Sequence, residues 1–205
     1  LDEKVEDEVK DRISKEIERR IFQNFWNYKH LDSWKTVRMN WNHVCNGEVI
    51  RTALYQIEDP TILAHFIHAA IQNLTYALDG FTDDGGCEEG PGYWAYGFGH
   101  FLYVAYALYL KTDGELNLMQ DDKIRKICEY PLAANVSGQY RSTFADSSHG
   151  YIPARIAMII NEFYDMPELY ALCRRHPDGS LRLGNMHELA LYNGQKSDGI
   201  ADNRD

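Results

Sequence analysis

Residues 83–97 are the stretch of the sequence best suited to chemistry, because they combine acids, glycines and large aromatic side chains. Glycine and proline at this density end a helix, which predicts a shaped loop between two helices. Such loops often carry binding and catalytic groups, although a solvated, acid-rich connection has the same composition. Tyr93, Trp94 and Tyr96 favour a site, since large rings are rarely found in a plain linker.

A second polar cluster lies at residues 40–46, where three asparagines and one histidine crowd the start of a predicted helix. Asn40 or Asn42 is suited to cap that helix. A cap alone leaves the crowding of amides around His43 unexplained, so a ligand contact in a cleft is the alternative. Residues 138–150 form a second irregular, polar loop.

Composition narrows the classes of partner. The net charge of −10 argues against nucleic acid, because phosphate binding needs a basic face. An aromatic content of 13% suits the stacking platforms of a sugar-binding cleft, although ordinary cores bury such rings too. No apolar run is long enough to predict membrane insertion.

Neither histidine nor cysteine spacing predicts a metal site. His65 and His68 are three residues apart, but no acidic or cysteine partner lies nearby, so solvated or cross-helix roles are favoured. The four cysteines have no CxxC spacing and are interpreted as scattered thiols rather than a disulfide framework.

Hydrophobic periodicity predicts the elements that must position these residues. An i, i+4 apolar row over 1–24 predicts an amphipathic helix, and the run 97–110 predicts a buried inner helix. Asp59 and Pro60 predict the cap and first residue of a helix reaching Leu78. A helix that follows the polar cluster at 40–46 is expected to end near residues 58–59, and another is expected from Asp121 or Asp122 to about 132. Further helices are expected at about 151–164, 167–175 and 186–192. Residues 25–40 are expected to form a connection packed on the core, and residues 195–205 a frayed tail.

No strand pattern of any length is present, so the sequence predicts an all-α fold. The alternation of amphipathic and more apolar helices favours antiparallel helical hairpins arranged as an incomplete α/α toroid. We expect residues 1–205 to form a single helical domain that is a fragment of such a toroid. Because an opened toroid exposes apolar faces, a homo-oligomer is also expected.

Three motifs, Asn40–Gly47, Asp84–Gly97 and Phe144–Ser147, together resemble those of the heparinase II/III-like polysaccharide lyases. They occur in the family's order, and the first two begin 44 residues apart. The resemblance spans about residues 35–165, which corresponds to part of the family's helical toroid. The β-sandwich domain that usually follows in the family is not visible in this sequence.

The resemblance implies cleavage of a uronic-acid-containing polysaccharide by β-elimination, without a cofactor. Heparan-type glycosaminoglycan and alginate are the implied substrates, and a periplasmic or extracellular location is implied with them. Tyr93 matches the catalytic tyrosine, which acts as acid and also as base, and Asn42 matches the position that neutralises the C5 carboxylate. His43 is expected to assist as donor or base. Substrate binding is assigned to Trp94, Tyr96, Glu89, Arg141 and His149, and His149 is also the candidate for a further histidine that relatives use.

Two other functions remain open at this point. An α/α-barrel glycoside hydrolase would use a pair of carboxylates from Asp83, Asp84, Glu88 and Glu89. A non-catalytic glycan-binding module would keep the toroid and bind oligosaccharide without cleaving it.

Overall fold

The computed structural model describes residues 6–27, 34–138 and 140–182. These ranges are mostly helical, which agrees with the predicted all-α class. The arrangement of the helices as a toroid stays a prediction. The predicted helix at 186–192 and the tail 195–205 lie outside the described residues. The chain divides into two compact units: Leu1–Phe81 with Tyr96–Val104, and Thr82–Ala95 with Ala105–Asp205.

The predicted first helix is interrupted by a wider turn. α1 spans Asp7–Ile17, a π-helical turn follows at Glu18–Phe22, and α2 spans Gln23–Phe25. A π turn needs no special residue, so the apolar row that runs through it gives no sign of the change.

α3 (Asn40–Gln56) and α4 (Pro60–Leu78) form the helical hairpin at the centre of the first unit. Asp59 caps α4 as predicted, because its Oδ1 accepts from the backbone N–H groups of Thr61 and Ile62 at 2.8 and 3.1 Å. The predicted cap of α3 is wrong. Met39 occupies the N-cap position, it makes no side-chain capping bond, and the asparagines that follow it already belong to the helix.

The apolar run after the loop is helical and buried, as predicted. A π turn at Trp94–Phe98 leads into α6 (Gly99–Lys111), and Phe98, Leu102 and Leu108 are buried. Gly97 allows a close contact in the first unit, because a Cβ at this position would lie 2.6 Å from the Cβ of Asn40. The start of α3 and the segment leading into α6 therefore pack backbone against backbone.

In the second unit, α5 (Gly90–Tyr93) is a single turn, and α7 spans Asp122–Ala133 behind an Asp121 cap, one of the two caps predicted. The prediction of no strands is wrong here, because β1 (Asn135–Ser137) pairs antiparallel with β2 (Tyr140–Arg141). These strands are too short to produce an alternating pattern. α8 spans Ala154–Phe163, and the predicted helix at 167–175 is a short 3₁₀ helix, Pro167–Leu172.

Candidate functional site

The asparagine cluster of the first unit forms a closed hydrogen-bond network. The amide nitrogen of Asn42 donates to the backbone carbonyls of Lys35 at 2.7 Å and Asn73 at 2.9 Å. Its Oδ1 accepts from Asn46 at 3.1 Å, and the Oδ1 of Asn46 accepts from Asn73 at the same distance. Asn42 and Asn46 are fully buried, so the crowded amides join α3 to α4 and to the segment before it.

His43 is buried in an apolar environment beside this network. Its side chain is 1% exposed, and the rings of Phe81, Phe98 and Phe101 lie 5.4–6.2 Å from it between centroids. Burial lowers the pKa of His43 to about 3, although a backbone hydrogen bond with Leu74 opposes the shift. The imidazole is therefore neutral at pH 7, and its Nε2 has no hydrogen-bond partner among the described residues.

A charged cluster in the same unit was missed by the sequence analysis. Glu48 Oε1 lies 2.9 Å from His100 Nδ1 and accepts from Arg51 Nη1 at 2.6 Å. Burial alone would raise the pKa of Glu48, but the hydrogen bonds and charges of His100 and Arg51 outweigh it and lower that pKa. Two features of the sequence could have indicated this cluster: the i, i+3 spacing of Glu48 and Arg51 on α3, and the single histidine, His100, in the apolar run of α6.

Tyr96 lies against this cluster with half of its surface open to solvent. Its ring meets the His100 ring edge-on at 5.6 Å between centroids, and the residue is 52% exposed. Among the site residues predicted in the first unit, Tyr96 has a ring that a ligand can reach, whereas Asn42 and His43 are buried.

The acidic start of the loop is held by its own hydrogen bonds in the second unit. Asp84 Oδ1 accepts from the hydroxyl of Thr82 and from the backbone N–H of Gly86, and these bonds lower the pKa of the carboxyl. Gly85 has φ +87°, and a Cβ there would lie 2.3 Å from the backbone of Lys126. Asp84 therefore shapes the loop and stays ionised.

Two of the motifs that carry the resemblance meet in the second unit. The backbone N–H of Gly92 donates to Ser147 Oγ at 2.9 Å, across 55 residues of sequence. Gly90 has φ +87°, and a Cβ there would lie 2.7 Å from the Cβ of Ser147 and 2.8 Å from the carbonyl of Phe144. Residues 144–147 therefore lie directly on the turn that ends in the half-buried Tyr93.

The other predicted binding residues of the second unit differ in exposure. Trp94 is fully buried and donates from Nε1 to the carbonyl of Ile127 at 2.8 Å, so it anchors the core and offers no ring face to a sugar. Glu89 is half-buried. His149 is exposed and meets the ring of Tyr140 edge-on at 5.4 Å.

Arg141 is 6% exposed although it carries a charge. Its Nη1 donates to the carbonyl of Pro91 at 3.5 Å, and its Nε has no hydrogen-bond partner among the residues described. Burial lowers the pKa of Arg141 and raises the pKa of neighbouring Tyr130 to about 12.

The predicted site residues fall into both units. The roles that the resemblance implies for Asn42 and Tyr93 require both to reach one sugar ring, and this stays a prediction. The first unit contains Asn42, His43 and Tyr96, and the second contains Glu89, Tyr93, Trp94, Arg141 and His149.

The described residues contain no group of three or more histidine, cysteine, aspartate or glutamate side chains placed to hold a metal ion. None of the described helices is long and apolar enough to cross a membrane. Comparison with known proteins finds no family model that matches the chain and no matching curated protein.

Proposed function

We propose that this chain belongs to a polysaccharide lyase that cleaves a uronic-acid-containing polysaccharide by β-elimination. The observation that supports this most strongly is the hydrogen bond between Gly92 and Ser147. It joins two segments whose resemblance to heparinase II/III-like lyases was found independently in the sequence. Motifs that share one function are expected to meet in the fold, and these two meet directly beside Tyr93.

In the proposed reaction Tyr93 transfers the proton. Its phenolate oxygen removes the C5 proton, the C5–H electron pair forms the C4–C5 double bond, and the C4–O4 bond breaks. The same phenol then protonates O4, so that the proton removed from C5 ends on the leaving group. Tyr93 is half-buried at the end of α5, so part of the residue remains open to solvent.

Asn42 has the role of neutralising the substrate carboxylate, which makes the C5 proton more acidic. Both amide protons of Asn42 are donated to backbone carbonyls, so this role requires one of them to change partner. The Lys35 carbonyl lies outside the regular helices and is the partner more easily exchanged. His43 is neutral at pH 7 and acts as a hydrogen-bonding group rather than as a cation.

The wider proposal follows the resemblance. The α3–α4 hairpin is one of the helical pairs of an α/α toroid, and the substrate is an acidic polysaccharide such as a heparan-type chain or alginate. The protein acts in the periplasm or outside the cell and uses no cofactor. The Asp84 carboxyl, with its lowered pKa, lacks the raised pKa that a hydrolase needs in its general acid.

Tyr93→Phe tests the proposal, because it removes the phenol oxygen and retains the ring. We expect the rate of unsaturated product formation on heparan-type chains or alginate, followed by ultraviolet absorbance, to fall about a hundredfold or more. Tyr96→Phe is the matched control from the same loop and should retain activity within a few-fold.

The assay separates the alternatives. New reducing ends without ultraviolet absorbance would identify a hydrolase, and binding without either product would identify a glycan-binding module. Loss of activity in Tyr96→Phe with full activity in Tyr93→Phe would show that the proton-transferring tyrosine is Tyr96. Full activity in both variants would refute the tyrosine mechanism.

A further inference from the structure

The second unit contains a buried cation that has no anionic partner among its described residues. Arg141 lies on β2 and is 6% exposed, and none of the ion pairs among the described residues includes it. Among the described residues, its side chain makes one hydrogen bond, a long one from Nη1 to the Pro91 carbonyl at 3.5 Å. The Nε atom is inaccessible to solvent and has no hydrogen-bond partner in the part of the chain that the structure describes.

Such an arrangement is costly to the fold. A guanidinium remains charged in proteins, and removing it from water without a carboxylate or several hydrogen bonds is strongly unfavourable. Buried arginines are therefore normally paired. An arginine left in this state is characteristic of a group retained for a ligand rather than for stability.

A second unsatisfied group lies beside it. The phenol oxygen of Tyr130, on α7, is buried and has no hydrogen-bond partner within residues 6–27, 34–138 and 140–182. Tyr130 and Arg141 are close enough that each alters the pKa of the other. Both side chains are donors, one through N–H groups and the other through O–H, and a single acceptor with several oxygens would satisfy both.

Gly150 leaves space beside the guanidinium where a larger residue would place its side chain. Apart from the residues on either side of Gly150 in the chain, a Cβ added there would meet one atom of the described residues within 4 Å, Nη2 of Arg141 at 3.8 Å. Gly150 is only partly buried, so the space next to Nη2 adjoins the surface of the loop 142–150.

We propose that Arg141 and Tyr130 form an oxyanion-binding subsite for a carboxylate or sulfate group of an acidic saccharide. Arg141 donates through its planar N–H fork and Tyr130 through its hydroxyl. The identification of the ligand as a saccharide rests on the proposed lyase function, whereas the anion site itself does not. The subsite is distinct from the carboxylate-neutralising role of Asn42, so it holds an acidic group other than the one at the cleaved residue.

Calorimetric titration with sodium sulfate, sodium glucuronate and neutral glucose tests the subsite at constant ionic strength. We expect the protein to bind at least one of the two anions, and glucose not to bind. Arg141→Lys retains the charge but loses the fork, and should weaken anion binding about tenfold or more. Tyr130→Phe should weaken it several-fold. The anion that binds more tightly identifies a carboxylate or a sulfate as the group recognised.

Arg125→Met is the matched control, because Arg125 is an exposed arginine of the same unit paired with Glu129 at 3.2 Å. It should bind the anion as the unchanged protein does. Arg141→Met should also raise the melting temperature in the absence of anion, since it removes an uncompensated buried charge.

The proposal would be overturned if Arg141→Lys bound both anions as tightly as the unchanged protein does, or if the unchanged protein bound neither anion. Because these titrations need no cleavage, they separate this inference from the lyase reaction. If the protein binds the anion but forms no unsaturated product, the subsite is supported and the lyase reaction is refuted. If it cleaves the polysaccharide but binds no anion through Arg141, the lyase reaction is supported and the subsite is refuted.

Discussion

Replacing Asn42 with alanine is expected to destabilise the protein substantially, whatever its effect on catalysis. The change removes three hydrogen bonds: the two that the Asn42 amide donates to the carbonyls of Lys35 and Asn73, and the one that its Oδ1 accepts from Asn46. A buried acceptor left without a donor costs about 1–3 kcal/mol. The Asn73 carbonyl lies within α4 and retains its helical hydrogen-bond partner, so losing the bond from Asn42 costs an amount at the lower end of that range. The expected total is about 2–5 kcal/mol, against a typical stability of 5–15 kcal/mol.

Urea unfolding followed by circular dichroism measures this change. Asn24→Ala is the control, because Asn24 also donates to a backbone carbonyl, that of Arg20 at 2.7 Å, but on an exposed surface. It should change the free energy of unfolding by no more than about 0.5 kcal/mol. A similarly small effect of Asn42→Ala would refute the structural role of the network. A large effect would mean that lost activity in this variant says little about catalysis.

Asn42→Asp tests the same buried environment through the pH dependence of the free energy of unfolding. The carboxylate would face two carbonyl oxygens in a buried site, which raises its folded pKa above the unfolded value near 3.9. A group with a raised folded pKa is best tolerated below the unfolded pKa and loses stability as pH rises through the folded value. The destabilisation should therefore be smallest near pH 4 and grow toward pH 7. A penalty independent of pH would contradict this environment.

Two further predictions concern the same unit. Gly97→Ala should destabilise by about 1–3 kcal/mol, because its Cβ would overlap Asn40, whereas Gly47→Ala meets atoms at 3.4 Å and should be neutral or slightly stabilising in urea unfolding. Equal effects of the two alanines would count against the close contact. His43 has a folded pKa of about 3 against about 6.5 when unfolded, so the native state loses stability as pH falls between these values. His43→Leu should gain about 3 kcal/mol relative to the unchanged protein between pH 6.5 and pH 4, and a constant difference would contradict the burial.

Local sequence signals predicted much of the fold. Asp59 with Pro60 fixes the start of α4, and Asp121 caps α7, because capping depends on residues within a single turn. The π turn at Trp94–Phe98 and the β1–β2 hairpin were not predicted. Both are shorter than the window over which a hydrophobic period can be recognised.

The site was harder to predict, because its character depends on long-range contacts. The crowding of polar residues around Asn42 and His43 favoured a cap or a cleft equally well. Burial of both depends on Asn73, 31 residues from Asn42, and on the phenylalanines that surround His43. Likewise, nothing near Arg141 in the sequence indicated that it would be buried without a carboxylate. Tyr93 is half-buried beside the motif that contains Ser147, and the resemblance alone brought these two segments into one hypothesis.

The assignment of Tyr96–Val104 to the first unit has a consequence for how the chain folds during synthesis. Residues 82–95, which belong to the second unit, must leave the ribosome before the first unit has received all of its chain. Until Phe98 and Phe101 emerge, the imidazole of His43 lacks two of its three aromatic neighbours. A nascent chain stalled near residue 95 should therefore be protease-sensitive around α3, and one extended well past 104, by the length of the exit tunnel, should be protected. In this protein, synthesis of the second unit therefore begins before the core of the first unit can close.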